Sequence, residues 1–289
     1  MVLPWWTLLL YLRNARSVPP TAYNYTAPET WQETFPMCGG PMQSPIALTP
    51  NRLKIIKAPA LQFADHLENG MIEAENTGRE IKLKLLPPNP DESLLNLFSF
   101  DGETLGIYEF AQMHFHWGDV RLNHGSEHAI GDKFTDAEAH FVFYNSRYDS
   151  FKEAARRFDG LLVIGVLLKG TEDESKGLFP TLGIEKQMKA VSSPGKKLRA
   201  RADLRPFQDV LRRAVKTYLS YHGSLTTPPC NPVVTWMVAS KPMFVSYKFL
   251  ETLTTNVYED DDGMDLLVNN CRPLQPRHKR VVTQFISFE

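Results

Sequence analysis

The residues best suited to chemistry lie in one short stretch, Gln112-Met113-His114-Phe115-His116-Trp117-Gly118. Polar and apolar side chains alternate along it, and alternation at period two is the signature of a β-strand with two distinct faces. His114 and His116 then share one face, while Met113, Phe115 and Trp117 share the other. Two imidazoles held side by side on a rigid strand are two legs of a metal site. A lone His-x-His pair in a strand is most often merely exposed or hydrogen-bonded, so the pattern needs company. A third leg is available in Ala137-Glu138-Ala139-His140-Phe141-Val142-Phe143-Tyr144, a second strand-like run. The segment between the runs is rich in Gly and charge and long enough to return an antiparallel partner, which brings His140 towards the same point.

The elements that must position these side chains read as a β-rich chain. The protein has 289 residues, 43% of them hydrophobic, enough for a sizeable core in one large domain. The 21 prolines and many strand-like runs point to sheets joined by irregular, ordered connections. Residues 61–86 hold two strand-like pieces, with Asn76-Thr77-Gly78 as a turn between them. Residues 87–91 read as a loop. Leu161-Leu162-Val163-Ile164-Gly165-Val166-Leu167-Leu168 is a continuous apolar run, as expected of a strand covered on both faces. Residues 218–224 and 233–238 read as further strands. Residues 151–158, 179–190 and 248–253 read as helices, and residues 204–211 are mixed. No repeat or linker divides the chain.

The formal net charge of −1 makes no case for nucleic acid or an anionic membrane as partner. Residues 2–12 are apolar, too short to span a bilayer, and of the length of a signal-peptide core, although no basic residue precedes them. They read as a signal peptide within residues 1–22 or as an apolar arm on the domain. The tail, residues 281–289, is not apolar enough for a lipid-anchor signal. Asn24-Tyr25-Thr26 is a glycosylation acceptor motif. The three cysteines, Cys38, Cys230 and Cys271, are compatible with a disulfide in an oxidising compartment or with free buried thiols.

Further motifs stand beside the histidines: Gly125-Ser126-Glu127-His128, Ser224-Leu225-Thr226-Thr227-Pro228-Pro229, Pro28-Glu29-Thr30-Trp31, Gln43-Ser44-Pro45-Ile46 and Asn270-Cys271-Arg272-Pro273-Leu274-Gln275-Pro276. Together they resemble the α-class carbonic anhydrases, zinc enzymes that hydrate carbon dioxide, over about residues 25–288. The resemblance implies a β-rich α+β single domain, with a central, mostly antiparallel twisted sheet of about ten strands and short surface helices. Residues 23–289 would form the catalytic domain. It implies Zn2+ on His114, His116 and His140. Three neutral imidazoles leave the metal its full charge, so bound water becomes hydroxide near neutral pH. Carbonic anhydrase is itself the type example of this chemistry, which comes with the resemblance and not from the spacing.

The same resemblance assigns the surrounding roles. Gln112, Glu138 and the Asn270 carbonyl hold the far nitrogens of the three ligands. Glu127 accepts a hydrogen bond from the Thr226 hydroxyl, which must then itself accept from the metal-bound hydroxide and so aims it. Thr227 contacts bicarbonate, and Val142, Val163, Leu225, Val234 and Trp236 wall the carbon dioxide site, although each would also suit an ordinary core. Cys38 and Cys230 fall where secreted relatives carry a disulfide, which leaves Cys271 free. His124 and His128 read as loop or supporting residues, and His66, His222 and His278 have no context. Fast members carry a proton-shuttle histidine just after an Asn-x-Gly turn. Here that position is Arg79, and Lys82 falls inside the cleft. An arginine cannot release a proton near neutrality, so turnover is expected to be slow. A catalytically weak or inactive relative acting as a binding protein is the alternative. Oligomeric state is left open.

Overall fold

The computed structural model describes residues 23–49, 53–63, 69–86, 96–100, 104–119, 124–173, 177 and 184–288. The expected signal segment (residues 1–22), the loop at residues 87–91 and His66 lie outside them. In chain order the strands are β1 (Ala47–Leu48), β2 (Lys54–Pro59), β3 (Gln62–Phe63), β4 (Asn69–Asn76), β5 (Ile81–Leu86), β6 (Asn96–Phe100), β7 (Thr104–Trp117), β8 (Ala129–Ile130) and β9 (Ala137–Asn145). They continue with β10 (Leu161–Thr171), β11 (Lys197–Asp203), β12 (Thr217–Gly223), β13 (Val234–Ala239), β14 (Met243–Ser246) and β15 (Thr283–Phe288). The α-helices are α1 (Trp31–Thr34), α2 (Phe151–Ala154), α3 (Ile184–Ala190), α4 (Arg205–Ala214) and α5 (Tyr247–Asn256).

One large twisted sheet organises the molecule. Ten strands follow each other in the order β11-β4-β5-β7-β9-β10-β13-β12-β15-β2, and β3, β6 and β14 attach at its flanks. Along this path only β10/β13 and β15/β2 pair in parallel. The single domain, the mostly antiparallel sheet and the short helices are those expected.

The sheet's centre is the antiparallel pair β7 and β9, whose register sets His114 opposite His140 and His116 opposite Glu138. A bulge at Ala111, between the Phe110 and Gln112 pairings, puts Gln112 opposite Val142. The alternation read from the sequence holds downstream of it. Met113, Phe115, Trp117, Phe141 and Phe143 all face the larger core and are fully buried. Burying a side chain of this size is worth about 1.5–3 kcal/mol.

β10 explains its own continuous apolar run. Leu162, Ile164, Val166 and Leu168 point into the larger core, while Leu161, Val163 and Leu167 point into a second cluster with Val142, Val234 and Trp236. At Gly165, opposite His140, a Cβ would lie 3.0 Å from Glu138 Oε1. The missing side chain is what leaves room for that carboxylate.

The helices cover the larger core. α5 opens on Ser246, whose Oγ accepts the Phe249 N–H at 3.1 Å, and it buries Phe249, Leu250 and Leu253. Phe249 meets Phe115 edge-on at 5.4 Å, which backs the histidine strand from behind. Residues 204–211 resolve as the start of α4, with Phe207, Val210, Leu211 and Ala214 buried and Arg212 and Arg213 in the last turn, a favourable place for cations.

Candidate metal centre

His114, His116 and His140 are 9%, 0% and 1% exposed, and their ring nitrogens form a group lying within 4.8 Å of one another. The strand register alone brings them together. What aims them is the partner on each ring's other nitrogen. His114 Nδ1 faces Gln112 Oε1 at 3.0 Å, His116 Nδ1 faces the Asn270 carbonyl at 2.7 Å, and His140 Nε2 faces Glu138 Oε1 at 2.8 Å. Each partner is an acceptor, so each of these nitrogens carries the proton. The remaining three, His114 Nε2, His116 Nε2 and His140 Nδ1, are bare and converge.

Bare lone pairs facing one another are unfavourable unless a cation lies between them. His140 Nδ1 is 3.3 Å from His114 Nε2, and His116 Nε2 is buried with no partner at all. Burial also pushes the His114 and His140 pKa values below the usual imidazole range, keeping both rings neutral. Tautomer-fixed imidazoles whose bare nitrogens meet at one point fit a divalent metal. The set contains no thiolate that would close a structural site.

Glu138 does more than the sequence indicated. Its Oε2 accepts the backbone N–H groups of Glu127 and His128 at 2.9 and 2.7 Å, and its Oε1 also meets His128 Nδ1 at 2.7 Å. Burial opposes ionisation, but His128 and His140 outweigh it and hold the carboxyl well below its usual range. His128 Nε2 continues the chain to the Tyr221 hydroxyl at 2.7 Å, which donates to Ser44 Oγ at 2.9 Å. His128 is thus a support for Glu138.

The threonine loop is tied from below. Ser224 and Ser44 exchange bonds of 3.0 Å each, and Gln43 Nε2 donates to the Cys230 carbonyl at 3.2 Å. Arg272 reaches Gln43 Oε1, the Ser44 carbonyl and the Cys38 carbonyl at 2.7–2.9 Å. Cys38 and Cys230 are disulfide-bonded across 192 residues, and Cys271 is free. The sequence motifs at both ends of the chain therefore meet under Thr226 and Thr227.

Around the triad, Val142, Val163 and Trp236 lie in one row across β9, β10 and β13, with Val234 and Leu225 in the same cluster. Trp236 stands 4.8 Å from the His140 ring. Glu127 Oε1 accepts the Arg272 N–H at 2.9 Å and lies 3.6 Å from His116 Nδ1, while its buried Oε2 has no hydrogen-bond partner. The expected bond from Thr226 to Glu127 is not formed here. Arg79 is engaged by the N-terminal arm: its Nε donates to the Tyr23 carbonyl at 2.8 Å, and its guanidinium lies 4.5 Å above the Tyr23 ring.

Two residues at the site escaped the sequence reading. Tyr25 places a buried phenol with no partner within the field of Glu127 and Glu80, and burial pushes its pKa up. Glu80 sends one oxygen to Lys82 Nζ at 2.9 Å and the other to within 3.7 Å of His114 Nε2.

The family model for eukaryotic-type carbonic anhydrase matches residues 26–286. The chain belongs to that family. It is 31% identical over 263 residues to carbonic anhydrase 3 of Homo sapiens, covering 90% of this chain and 95% of the relative. It is 32% identical over 267 residues to the carbonic anhydrase 3 proteins of Mus musculus and of Bos taurus, with the same coverage. Family membership makes zinc the metal to which the triad is fitted.

Proposed function

We propose that this protein is a carbonate dehydratase, converting carbon dioxide and water reversibly to bicarbonate and a proton, with one zinc on His114, His116 and His140. The observation that carries the reading is the convergence of three tautomer-fixed imidazole nitrogens, one of them buried without a partner. Zinc, when bound, acts as a Lewis acid that makes water a nucleophile near neutral pH.

The chain's own residues do the rest. Gln112, Glu138 and the Asn270 carbonyl hold the ring protons away from the centre, which leaves the opposite nitrogens free to ligate. Val142, Val163, Leu225, Val234 and Trp236 offer carbon dioxide, a small apolar molecule, an apolar wall. Although no Thr226–Glu127 bond is formed in this structure, the Thr226 hydroxyl would donate a hydrogen bond to the open Glu127 Oε2 in the working site, which would leave the Thr226 oxygen to accept from the attacking water and fix its direction. The partnerless Glu127 Oε2 is the atom that supports this role. Thr227 contacts the bicarbonate product.

The proton leaves slowly in this reading. Arg79 stands where faster relatives use histidine, it is bound to the Tyr23 carbonyl, and a guanidinium does not give up a proton near neutrality. His128 is enclosed between Glu138 and Tyr221, and His222 is stacked on Phe158 at 3.9 Å. Neither takes over the relay.

The compartment is extracellular in the same proposal, with residues 1–22 as signal peptide. The support is the Cys38–Cys230 bridge and the exposed Asn24 of the Asn24-Tyr25-Thr26 motif. No helix among the described residues is long and apolar enough to cross a membrane. Stopped-flow carbon dioxide hydration, before and after removal of metal by a chelator, tests the function. Activity lost with the metal and restored by zinc is expected; no hydration by zinc-loaded protein contradicts the reading and favours a binding protein.

A further inference from the structure

Glu80 is a carboxylate in a place that ordinary packing does not explain. It follows the β4–β5 turn directly, and its side chain is only 13% exposed. Burying a carboxylate is costly unless a counter-charge answers it. Lys82 answers one oxygen, Oε1, at 2.9 Å. The other, Oε2, looks away from the lysine towards His114 Nε2 at 3.7 Å. That nitrogen is the bare, metal-facing atom of the ring, because Nδ1 carries the proton shared with Gln112. An anionic oxygen and an imidazole lone pair therefore face each other. Such a pair repels unless positive charge stands beside both.

Strand register makes the placement firm. Lys82 pairs directly with His114 across β5 and β7. Burial opposes the charge on Glu80, and the Lys82 ammonium at 2.9 Å answers it. The carboxylate stands beside the triad and not in it: the ligating atoms crowded within 4.8 Å of one another around His114 are those of His116 and His140.

We propose that Glu80 is a specificity-determining residue of this centre, strengthening the hold of the three histidines on a divalent cation and weakening the binding of small inorganic anions beside it. The inference rests on the metal reading of the triad proposed above. A fixed negative charge attracts the cation and repels an incoming anion, and in a buried site both effects are poorly screened. Lys82 acts with the opposite sign from behind the carboxylate.

The test uses the full chain and three proteins: wild type, Glu80→Gln and Lys82→Met. Zinc affinity is measured by competition with a chelator of known strength. Azide binding is measured on the cobalt-loaded proteins from their visible spectra. Glu80→Gln is expected to weaken zinc by about tenfold or more, the scale of groups that support metal ligands, and to tighten azide. Lys82→Met is expected to move both quantities the other way. That reversal of sign separates a charge effect from general loosening, in which both variants weaken zinc. Changes under twofold in Glu80→Gln, or the same direction in both variants, overturn the proposal. If Glu80→Gln does not fold, Lys82→Met decides alone: tighter zinc with weaker azide supports the proposal, and any other pattern overturns it. A wild type without stoichiometric zinc fails earlier and overturns the metal reading itself.

Discussion

Replacing both cysteines, Cys38→Ser with Cys230→Ser, removes a cross-link without leaving a lone thiol. The bridge closes a segment of 192 residues, for which the chain-entropy model gives about 5 kcal/mol of stabilisation at 25 °C, acting on the unfolded chain. The folded geometry has other supports. Gln43 still bonds the Cys230 carbonyl and Arg272 still bonds the Cys38 carbonyl, so the threonine loop stays in place when the sulfurs go. The loss should therefore appear in stability and not in activity per folded molecule at 25 °C. At roughly 2 °C per kcal/mol for a chain of this size, the melting temperature should fall by about 10 °C. Thermal unfolding followed by circular dichroism measures this, with and without a phosphine reductant. Reduced wild type should melt near the double variant, and peptide mapping without reductant should show Cys271 free. A double variant melting within about 2 °C of wild type, or a wild type indifferent to reductant, refutes the reasoning.

Three further outcomes are expected. Arg79→His should raise kcat several-fold while kcat/KM changes little, and imidazole buffer should do the same for the wild type; a wild-type kcat already high and independent of buffer contradicts slow proton transfer. Glu127→Gln should keep its zinc and lose about 10–100-fold in hydration rate, as for other groups that orient a metal site; full activity removes Glu127 from the mechanism. At alkaline pH, burial holds the Tyr25 and Tyr221 phenols protonated in the folded state while the unfolded chain releases those protons from about pH 10. Their contribution is therefore complete below pH 10 and lost as pH rises past it, so the denaturant midpoint should fall between pH 9 and 11, less steeply in Tyr25→Phe. A flat midpoint speaks against it.

The metal strand was legible because its face is decided locally: alternation puts His114 and His116 together whatever surrounds them. β10 was legible because a strand covered on both faces has no polar side to show. β11 was not. Its Lys197-Leu198-Arg199-Ala200-Arg201-Ala202-Asp203 carries charge at alternate positions, as an edge strand does, and is held by partners on β4 that no local pattern reveals. Among them are Lys197 to Glu75 at 3.2 Å and Arg199 to Glu73 at 2.7 Å. α4 was blurred for another reason: its apolar face is complete only once the helix extends to Ala214, beyond residues 204–211.

At the site, the resemblance supplied the ligands and their supports because these belong to motifs. Glu80 and Tyr25 belong to none of them. Glu80 enters the site only through the pairing of Lys82 with His114. Tyr25 enters through an arm packed by Trp31, with the ring of Tyr23 edge-on to it at 5.9 Å. Glu80 depends on the pairing of two strands far apart in sequence, and Tyr25 on the approach of that arm to Glu80 and Glu127.

The central claim is that His114, His116 and His140 together hold a zinc ion that the reaction needs. The most direct measurement is the zinc content of purified wild type and His116→Ala by elemental mass spectrometry, with hydration activity read on the same samples. The account predicts one zinc per wild-type chain, and loss of both metal and activity in the variant. A variant that keeps stoichiometric zinc and full activity would contradict it.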